Sequence, residues 1–423
     1  MKGQTNIMEQ NNNIIEKAIL CGLCTGRKNE FSNDDTMSEL EKLTETAGAE
    51  VFATVVQNKG DPENSTFLGS GKLKEIAEIC KGNEINLLIF DDELSGSQIR
   101  NIEKITEVRV VDRTAIILDI FAKRAMSREG KLQVELAQLK YFSSRLVGMR
   151  TELSRLGGGI GTRGPGESKL ESDRRHLRRR VFVLQESIEE ISKQRAMLRS
   201  RRAKEGLLTV AIVGYTNAGK STLLNSLTGA GVLAENMLFA TLDPTSRGIM
   251  LPDGREVLLI DTVGFIRKLP HQLVEAFHST LEEAAEADLI LNLCDASDAE
   301  ANLQLEVSDN ILKELGCAEK PQLVVLNKCD KLQVDLLGLG GREFIKISAK
   351  NGDGLTELVQ KISELLPKSR EKINLLLPYT KGNLIEIVRN HGLIASTNYT
   401  TEGIELTGSI DLDKLHLVAE YKI

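Results

Sequence analysis

Gly214-Tyr215-Thr216-Asn217-Ala218-Gly219-Lys220-Ser221 matches the pattern G-x-x-x-x-G-K-[ST] in full. A strand-like run, Val210 to Val213, precedes it, and a helical stretch, Ser221 to Leu227, follows. A strand that feeds a glycine-rich turn and opens a helix is the context in which this pattern cradles phosphate. The glycines let backbone N–H groups converge on phosphate oxygens, and the helix N-terminus adds partial positive charge. Lys220 is placed to bridge a β- and a γ-phosphate, and the Ser221 hydroxyl, with Thr222 beside it, to ligate Mg²⁺. A second stretch of similar spacing, Gly161 to Ser168, carries Glu167 at the lysine position and has no strand before it. A carboxylate there repels phosphate, so that stretch reads as a flexible tip.

Three more motifs follow the loop in order, each at the end of an apolar run. Asp261-Thr262-Val263-Gly264 ends Val257–Ile260; its carboxylate can hold Mg²⁺ through water while the Gly264 amide faces the γ-phosphate. Asn327-Lys328-Cys329-Asp330 ends Leu323–Leu326. Asp330 can accept two hydrogen bonds from the guanine edge, a donor pair adenine lacks, and sites built on such bonds discriminate by ~10⁴ or more. Asn327 contacts the other edge of the purine and braces the loop, and the Lys328 stem covers the ring. Ser348-Ala349-Lys350 supplies backbone donors to the base carbonyl. Together these imply GTP as substrate and GDP as product.

The remaining nucleotide-sensitive loop must precede Asp261. Phe239-Ala240-Thr241-Leu242-Asp243-Pro244-Thr245 is the Thr-bearing candidate, with Thr241 as the second Mg²⁺-ligating hydroxyl and Thr245 as the alternative. After Gly264, where many related enzymes carry a water-orienting glutamine, stands Phe265, which cannot hydrogen-bond water. An enzyme completed by its partner is expected, and no residue is named as catalytic base. Lys220, Thr241 and Gly264 support the transition state.

The loop sits in a unit whose strand-like runs (Leu208–Val213, Val257–Ile260, Leu289–Cys294, Leu323–Leu326, Phe344–Ile347) alternate with helical stretches, which predicts a doubly wound α/β sheet. Upstream, Val51–Val56 and Asn86–Phe90 read as strands, and Glu39–Thr46, Gly71–Cys80 and Ser97–Ile105 as helices, a second small α/β domain. Between them, apolar residues from Leu132 to Leu156 and from Leu170 to Leu198 recur at steps of three and four around a glycine-rich break. That pattern predicts a long antiparallel helical hairpin. Its exposed faces are expected to carry Arg174, Arg175, Arg178, Arg179, Arg180, Arg199, Arg201 and Arg202. The C-terminal residues read as strand, helix, hairpin and helix, a small α+β domain. The expected division is 1–120, 121–206, 207–370 and 371–423.

The 423 residues carry a net charge of −7, yet the span from Phe121 to Gly206 holds 21 Lys and Arg against 10 Asp and Glu. A basic arm on an acidic protein points to a polyanionic partner. With no Trp and 4% aromatic residues, stacking platforms for single strands are not expected. No apolar run approaches the ~18 residues of a membrane span, and the polar start from Met1 to Asn13 is unlike a secretory signal. Six scattered cysteines fit a reducing cytoplasm. Cys21 and Cys24 form one C-x-x-C, but within an apolar, strand-like run and without a second pair, so they read as core residues.

Taken over most of its length, the chain resembles the bacterial HflX-type GTPases, a ribosome-associated family within the Obg-like group. The resemblance runs through Leu68 to Lys72, Asp91 to Ser95, Val111 to Phe121, the glycine-rich stretch Gly157 to Ser168, and Gly214 to Thr222. It continues through Phe239 to Thr245, Asp261 to Ile266, Leu269 to His271 and Val274 to Phe277. Cys329, and His278 where the family often has Arg, are slight departures. The resemblance implies binding to the large ribosomal subunit, through rRNA and ribosomal protein, and GTP-dependent splitting of stalled or idle ribosomes. It also implies that the hairpin tip approaches rRNA, and a cytoplasmic protein, monomeric when free, is expected. A GTP-regulated ribosome-biogenesis factor and a nucleotide-dependent rRNA remodeller that also accepts ATP are the competing readings.

Overall fold

The computed structural model describes residues 16–25, 33–148, 165–204, 206–229, 238–239, 243–268, 281–331, 342–367, 370–412 and 414–423. Three sheets organise them. The first is built from β1 (Lys17–Cys24), β2 (Glu50–Asn58), β3 (Leu87–Phe90) and β4 (Arg109–Asp112), in the order β2-β1-β3-β4 with every neighbour parallel. Its helices are α1 (Asn33–Ala47), α2 (Ser70–Asn83), α3 (Gly96–Thr106) and α4 (Arg113–Arg124). Alternate residues of β1 face opposite layers: Ala18 and Leu20 meet α1 and α4, while Ile19 and Cys21 meet α2 and α3. A strand covered on both sides must be apolar throughout, which explains the run from Ala18 to Leu23. Burial there pushes the Cys21 thiol well above its ordinary range.

The run Val111 to Phe121 splits at Asp112, where β4 stops and α4 starts. The Asp112 carboxylate caps α4 by accepting the Ala115 N–H at 3.0 Å. It also accepts the Tyr141 hydroxyl and an Arg145 N–H, both from α5 (Arg128–Gly148). One buried carboxylate therefore roots the arm in the first sheet. The arm's second helix, α6 (Pro165–Lys204), packs against α5. Glu135 pairs with Arg180 and Glu129 with Arg195, an order reversed between the two helices, so they run antiparallel as the periodicity predicts. The glycine-rich tip, 157–164, lies outside the described residues.

The arginines of α6 fall into two groups. Arg199 and Arg202, expected on exposed faces, are half-buried against the third unit and pair with Glu283; Arg195 and Arg199 also reach Glu282. Acidic side chains at 282–283, distant in sequence, neutralise the base of the arm. Arg175, Arg178 and Arg179 are exposed and have no ion-pair partner among the described residues.

The second sheet follows the order β10-β9-β8-β5-β7-β6. Its strands are β5 (Leu208–Gly214), β6 (Thr245–Met250), β7 (Glu256–Asp261), β8 (Leu289–Asp295), β9 (Gln322–Asn327) and β10 (Phe344–Lys346), parallel except β6. Val210 and Ile212 of β5 pack with α7 (Lys220–Thr228) and α9 (Leu355–Leu365). Ala211 and Val213 face a core that continues into α1 and α4. Helix α8 (Ala301–Glu314) covers the β8–β9 edge. The chain leaves β5 toward β7 on one side and returns to β8 on the other, and such a reversal opens a crevice at the strands' carboxyl ends.

The third sheet, β11 (Arg370–Leu377), β12 (Gly392–Tyr399) and β13 (Ile404–Asp411), is antiparallel in the order β11-β13-β12 and packs on α10 (Asn383–Asn390). The terminal helix expected there is instead two 3₁₀ turns, Leu415–Leu417 and Ala419–Tyr421. Lys422 bridges Leu375 and the Ile423 N–H reaches Asn374 O, which draws the terminus back to β11 before an α-helix can develop. Among the described residues, no helix is long and apolar enough to cross a membrane.

Candidate functional site

The carboxyl ends of β5, β7, β9 and β10 bring the four motifs to one crevice. Gly214 ends β5 at φ 146°, and a Cβ there would lie 2.1 Å from Leu293 O of β8. Only glycine lets the loop leave so close to its neighbour. Gly219 has φ 98°, and its Cβ would meet Asn327 Nδ2 at 2.3 Å. That amide is in use: Asn327 Nδ2 donates to Ala218 O at 2.8 Å, and Asn327 Oδ1 accepts the Ala349 N–H at 2.9 Å. One side chain thus ties the loop to Ser348–Lys350.

Lys220 opens α7 and is buried. Its Nζ donates to Gly214 O at 3.1 Å and Tyr215 O at 2.8 Å. Burial pulls its pKa down to about 8, against an opposing pull from Asp261. Ser221 Oγ donates to Asp261 Oδ2 at 2.8 Å. A hydroxyl and a carboxylate meeting this way are hard oxygen donors of the kind Mg²⁺ takes beside phosphate oxygens. Thr262 is turned inward, its hydroxyl donating to Ile212 O.

At the other end of the crevice Ser348 Oγ donates to Asp330 Oδ1 at 2.6 Å, which holds the exposed Asp330 carboxyl below the usual range. Lys328 adopts φ 62° and its Nζ bridges Asn217 O at 2.8 Å and Asp295 Oδ2 at 2.7 Å. Asp295, the last residue of β8, escaped the sequence reading. Its one available signal was an acid at a strand's carboxyl end.

Of the segment 239–245, expected to be nucleotide-sensitive, Ala240, Thr241 and Leu242 lie outside the described residues. Phe239 is buried with φ 56°, its ring edge-on to Phe121 with centroids 4.5 Å apart. The Asp243 carboxylate leaves the crevice altogether. It accepts the Met126 N–H at 2.9 Å, the Ser127 N–H at 2.8 Å and the Ser127 hydroxyl, at the start of α5. Thr245 begins the edge strand β6, opposite Asp261.

Phe265 is zipped to the loop: Thr216 N–H donates to Phe265 O at 2.8 Å, and Phe265 N–H to Gly214 O at 3.0 Å. Around this seam lies a polar cluster without a sequence signature. The Tyr215 hydroxyl donates to Glu39 Oε2 and accepts the Arg267 N–H at 2.8 Å. Arg113 donates to Glu39 at 2.6 Å, Asp91 at 2.8 Å and Arg267 O at 3.2 Å. Burial works against the Arg113 charge, but Glu39 and Asp91 outweigh it and raise its pKa. Lys268 Nζ reaches Asp91 and Asp92, and Arg267 pairs with Glu300. Burial, reinforced by Glu39, drives the Tyr215 phenol far above its ordinary range, so it stays protonated. Two segments of the crevice, one after Gly214 and one after Gly264, are thereby fastened to the N-terminal sheet.

Three family models match consecutive segments: a GTP-binding GTPase N-terminal region over 34–122, its middle region over 124–202, and a 50S ribosome-binding GTPase over 209–328. A doubly wound sheet with these motifs at its strand ends defines a P-loop GTPase, an enzyme that binds GTP and hydrolyses it to GDP and phosphate. The chain belongs to the HflX family of GTPases. It is 48% identical to the GTPase HflX of Caldanaerobacter subterraneus subsp. tengcongensis over 395 residues, 93% of this chain and 91% of that protein. To the GTPase HflX of Escherichia coli it is 45% identical over 362 residues, 84% and 85% of the two chains. A GTP-binding protein from Sulfolobus solfataricus, solved with GDP, is 29% identical with a TM-score of 0.45, over 83% of this chain and 98% of that one.

Proposed function

We propose that this GTPase binds the large ribosomal subunit and uses GTP binding and hydrolysis to split stalled or idle ribosomes. The observation that carries the reading is the divided charge of the arm. Its base is neutralised by Glu129, Glu282 and Glu283, while Arg175, Arg178 and Arg179, toward the tip, have no ion-pair partner among the described residues. With Phe182 they recur at helical spacing along one exposed face of α6. A cationic face projected away from an enzyme's own acids suits a polyanion such as rRNA. The match to a family described as 50S ribosome-binding supports it.

In this reading the chain works as four units, 1–120, 121–206, 207–370 and 371–423. The loop Gly214–Thr222 grips the phosphates, with Lys220 between β and γ. Asp330 reads guanine, Asn327 and Lys328 hold the purine, and Ser348–Lys350 meet its carbonyl. Ser221, Thr241 and Asp261, the last through water, would hold Mg²⁺, which when bound neutralises phosphate charge. Phe265 cannot orient water, so the ribosome completes the site and accelerates turnover.

Light scattering of intact ribosomes with GTP, GDP or a non-hydrolysable analogue tests this. Splitting in the triphosphate form, together with faster turnover on large subunits, is expected. Intact ribosomes that stay whole while free subunits are bound would favour a biogenesis factor, and ATP competing equally with GTP would favour a remodeller.

A further inference from the structure

Thr216, the third residue of the phosphate loop, is buried, and its Oγ1 has no hydrogen-bond partner among the described residues. Three neighbouring hydroxyls of the crevice are engaged: Ser221 with Asp261, Thr262 with Ile212 O, Ser348 with Asp330. The Thr216 N–H is engaged too, by Phe265 O. A buried hydroxyl without a partner is a cost to the fold that calls for a reason. Packing supplies none, since valine fills the same volume.

Position supplies one. A Cβ placed on Gly264 would lie 2.7 Å from Thr216 Cγ2 and 3.0 Å from Lys220 Nζ. The threonine side chain and the lysine ammonium therefore border the same spot, beside the glycine whose amide the D-x-x-G motif directs at the terminal phosphate. One staggered χ1 step carries Oγ1 to the position the methyl now holds, while the methyl moves to the Hβ position, so Oγ1 reaches that spot without backbone movement.

We propose that the Thr216 hydroxyl donates a hydrogen bond to a γ-phosphoryl oxygen, so that it distinguishes triphosphate from diphosphate and positions the γ-phosphoryl group for attack. The proposal rests on the reading of Gly214–Ser221 as the GTP site. No bond to the protein forms or breaks. A charge-assisted donor at this place strengthens as charge builds on the transferred group and partly offsets the missing glutamine at Phe265.

The test compares Thr216→Val, which keeps shape, with Thr216→Ser, which keeps the hydroxyl. Affinities for GDP and for a non-hydrolysable GTP analogue are measured with Mg²⁺, alongside single-turnover hydrolysis. Thr216→Val is expected to weaken the analogue and slow hydrolysis by about tenfold while GDP affinity stays within about twofold, and Thr216→Ser to retain both. Equal losses for analogue and GDP, or no loss in either, would overturn the proposal. Wild-type protein that binds neither nucleotide would overturn the reading of the loop on which it rests.

Discussion

The Tyr215 hydroxyl donates to Glu39 Oε2 at 2.5 Å, joining the second residue of the phosphate loop to a helix 176 residues earlier in the chain. Arg267, just beyond the D-x-x-G segment, donates its N–H to the same phenol oxygen at 2.8 Å. The segments after Gly214 and after Gly264 thus share one buried anchor on α1. Any rearrangement at Gly264 must be transmitted to, or resisted by, that anchor.

Removing the phenol oxygen leaves Glu39 and the Arg267 N–H short of a partner. Tyr215→Phe is expected to destabilise the protein by about 1–3 kcal/mol, measured by chemical denaturation. A double-mutant cycle with Glu39→Gln should return a coupling above about 0.5 kcal/mol. Additive effects would show that the two groups act independently.

Arg113 faces Glu39 and Asp91, all three nearly excluded from solvent. Replacing it by methionine takes a buried cation from two carboxylates, leaving Asp91 with Lys268 and Glu39 with Tyr215 and Arg267, and a loss of about 3 kcal/mol is expected. The cost should shrink at acid pH, where carboxylates short of a cation can take up protons, so denaturation at two pH values checks the cause.

Lys220 carries the pH prediction. Its pKa in the folded protein is about 8, below the ordinary ~10.4. Between those values the unfolded chain binds more protons than the folded one, so stability of the protein alone rises with pH across the window. Below about 8 both states are charged and the full cost of the buried ammonium is present. Phosphate oxygens restore the charge, so nucleotide binding should take up protons near pH 8.5 and almost none near pH 6.5, to roughly one proton at most. Calorimetry in buffers of different ionisation enthalpy reads this directly, and uptake independent of pH would contradict it.

Asp243 fixes Met126 and Ser127 from outside α5, and Ser127 Oγ in turn caps that helix by accepting the Gly130 N–H. Asp243→Ala should cost about 1 kcal/mol, as lost caps do. Hydrogen exchange should quicken at 126–130 and leave α6 near Arg195 unchanged; uniform exchange would argue against a local cap.

Reversing the charge of Arg175, Arg178 and Arg179 removes three contacts from the proposed rRNA face. The slope of log affinity for large subunits against log salt is expected to fall by roughly 2–3. An unchanged slope would place the ribosome contact elsewhere.

The legible parts of this protein are those that depend on neighbours in the chain. Gly214, Gly219, Lys220 and Ser221 declare a loop because strand, turn and helix are contiguous. β5, β8 and β9 declare themselves because strands buried on both faces are continuously apolar. β6 was silent: as an edge strand, Ser246, Arg247 and Gly248 are exposed and carry no apolar run. The arm's helices were visible by period, but not that acids at 282–283 neutralise their base.

By itself the sequence determined that a P-loop GTPase stands here, since that chemistry needs fixed residue types at short spacing. Tertiary structure alone decided that Glu39, Arg113 and Asp91 hold Tyr215, Arg267 and Lys268, and that Asp243 serves the arm rather than the crevice. Those partners lie 116 to 228 residues apart along the chain, and no local periodicity records a contact that only tertiary packing creates.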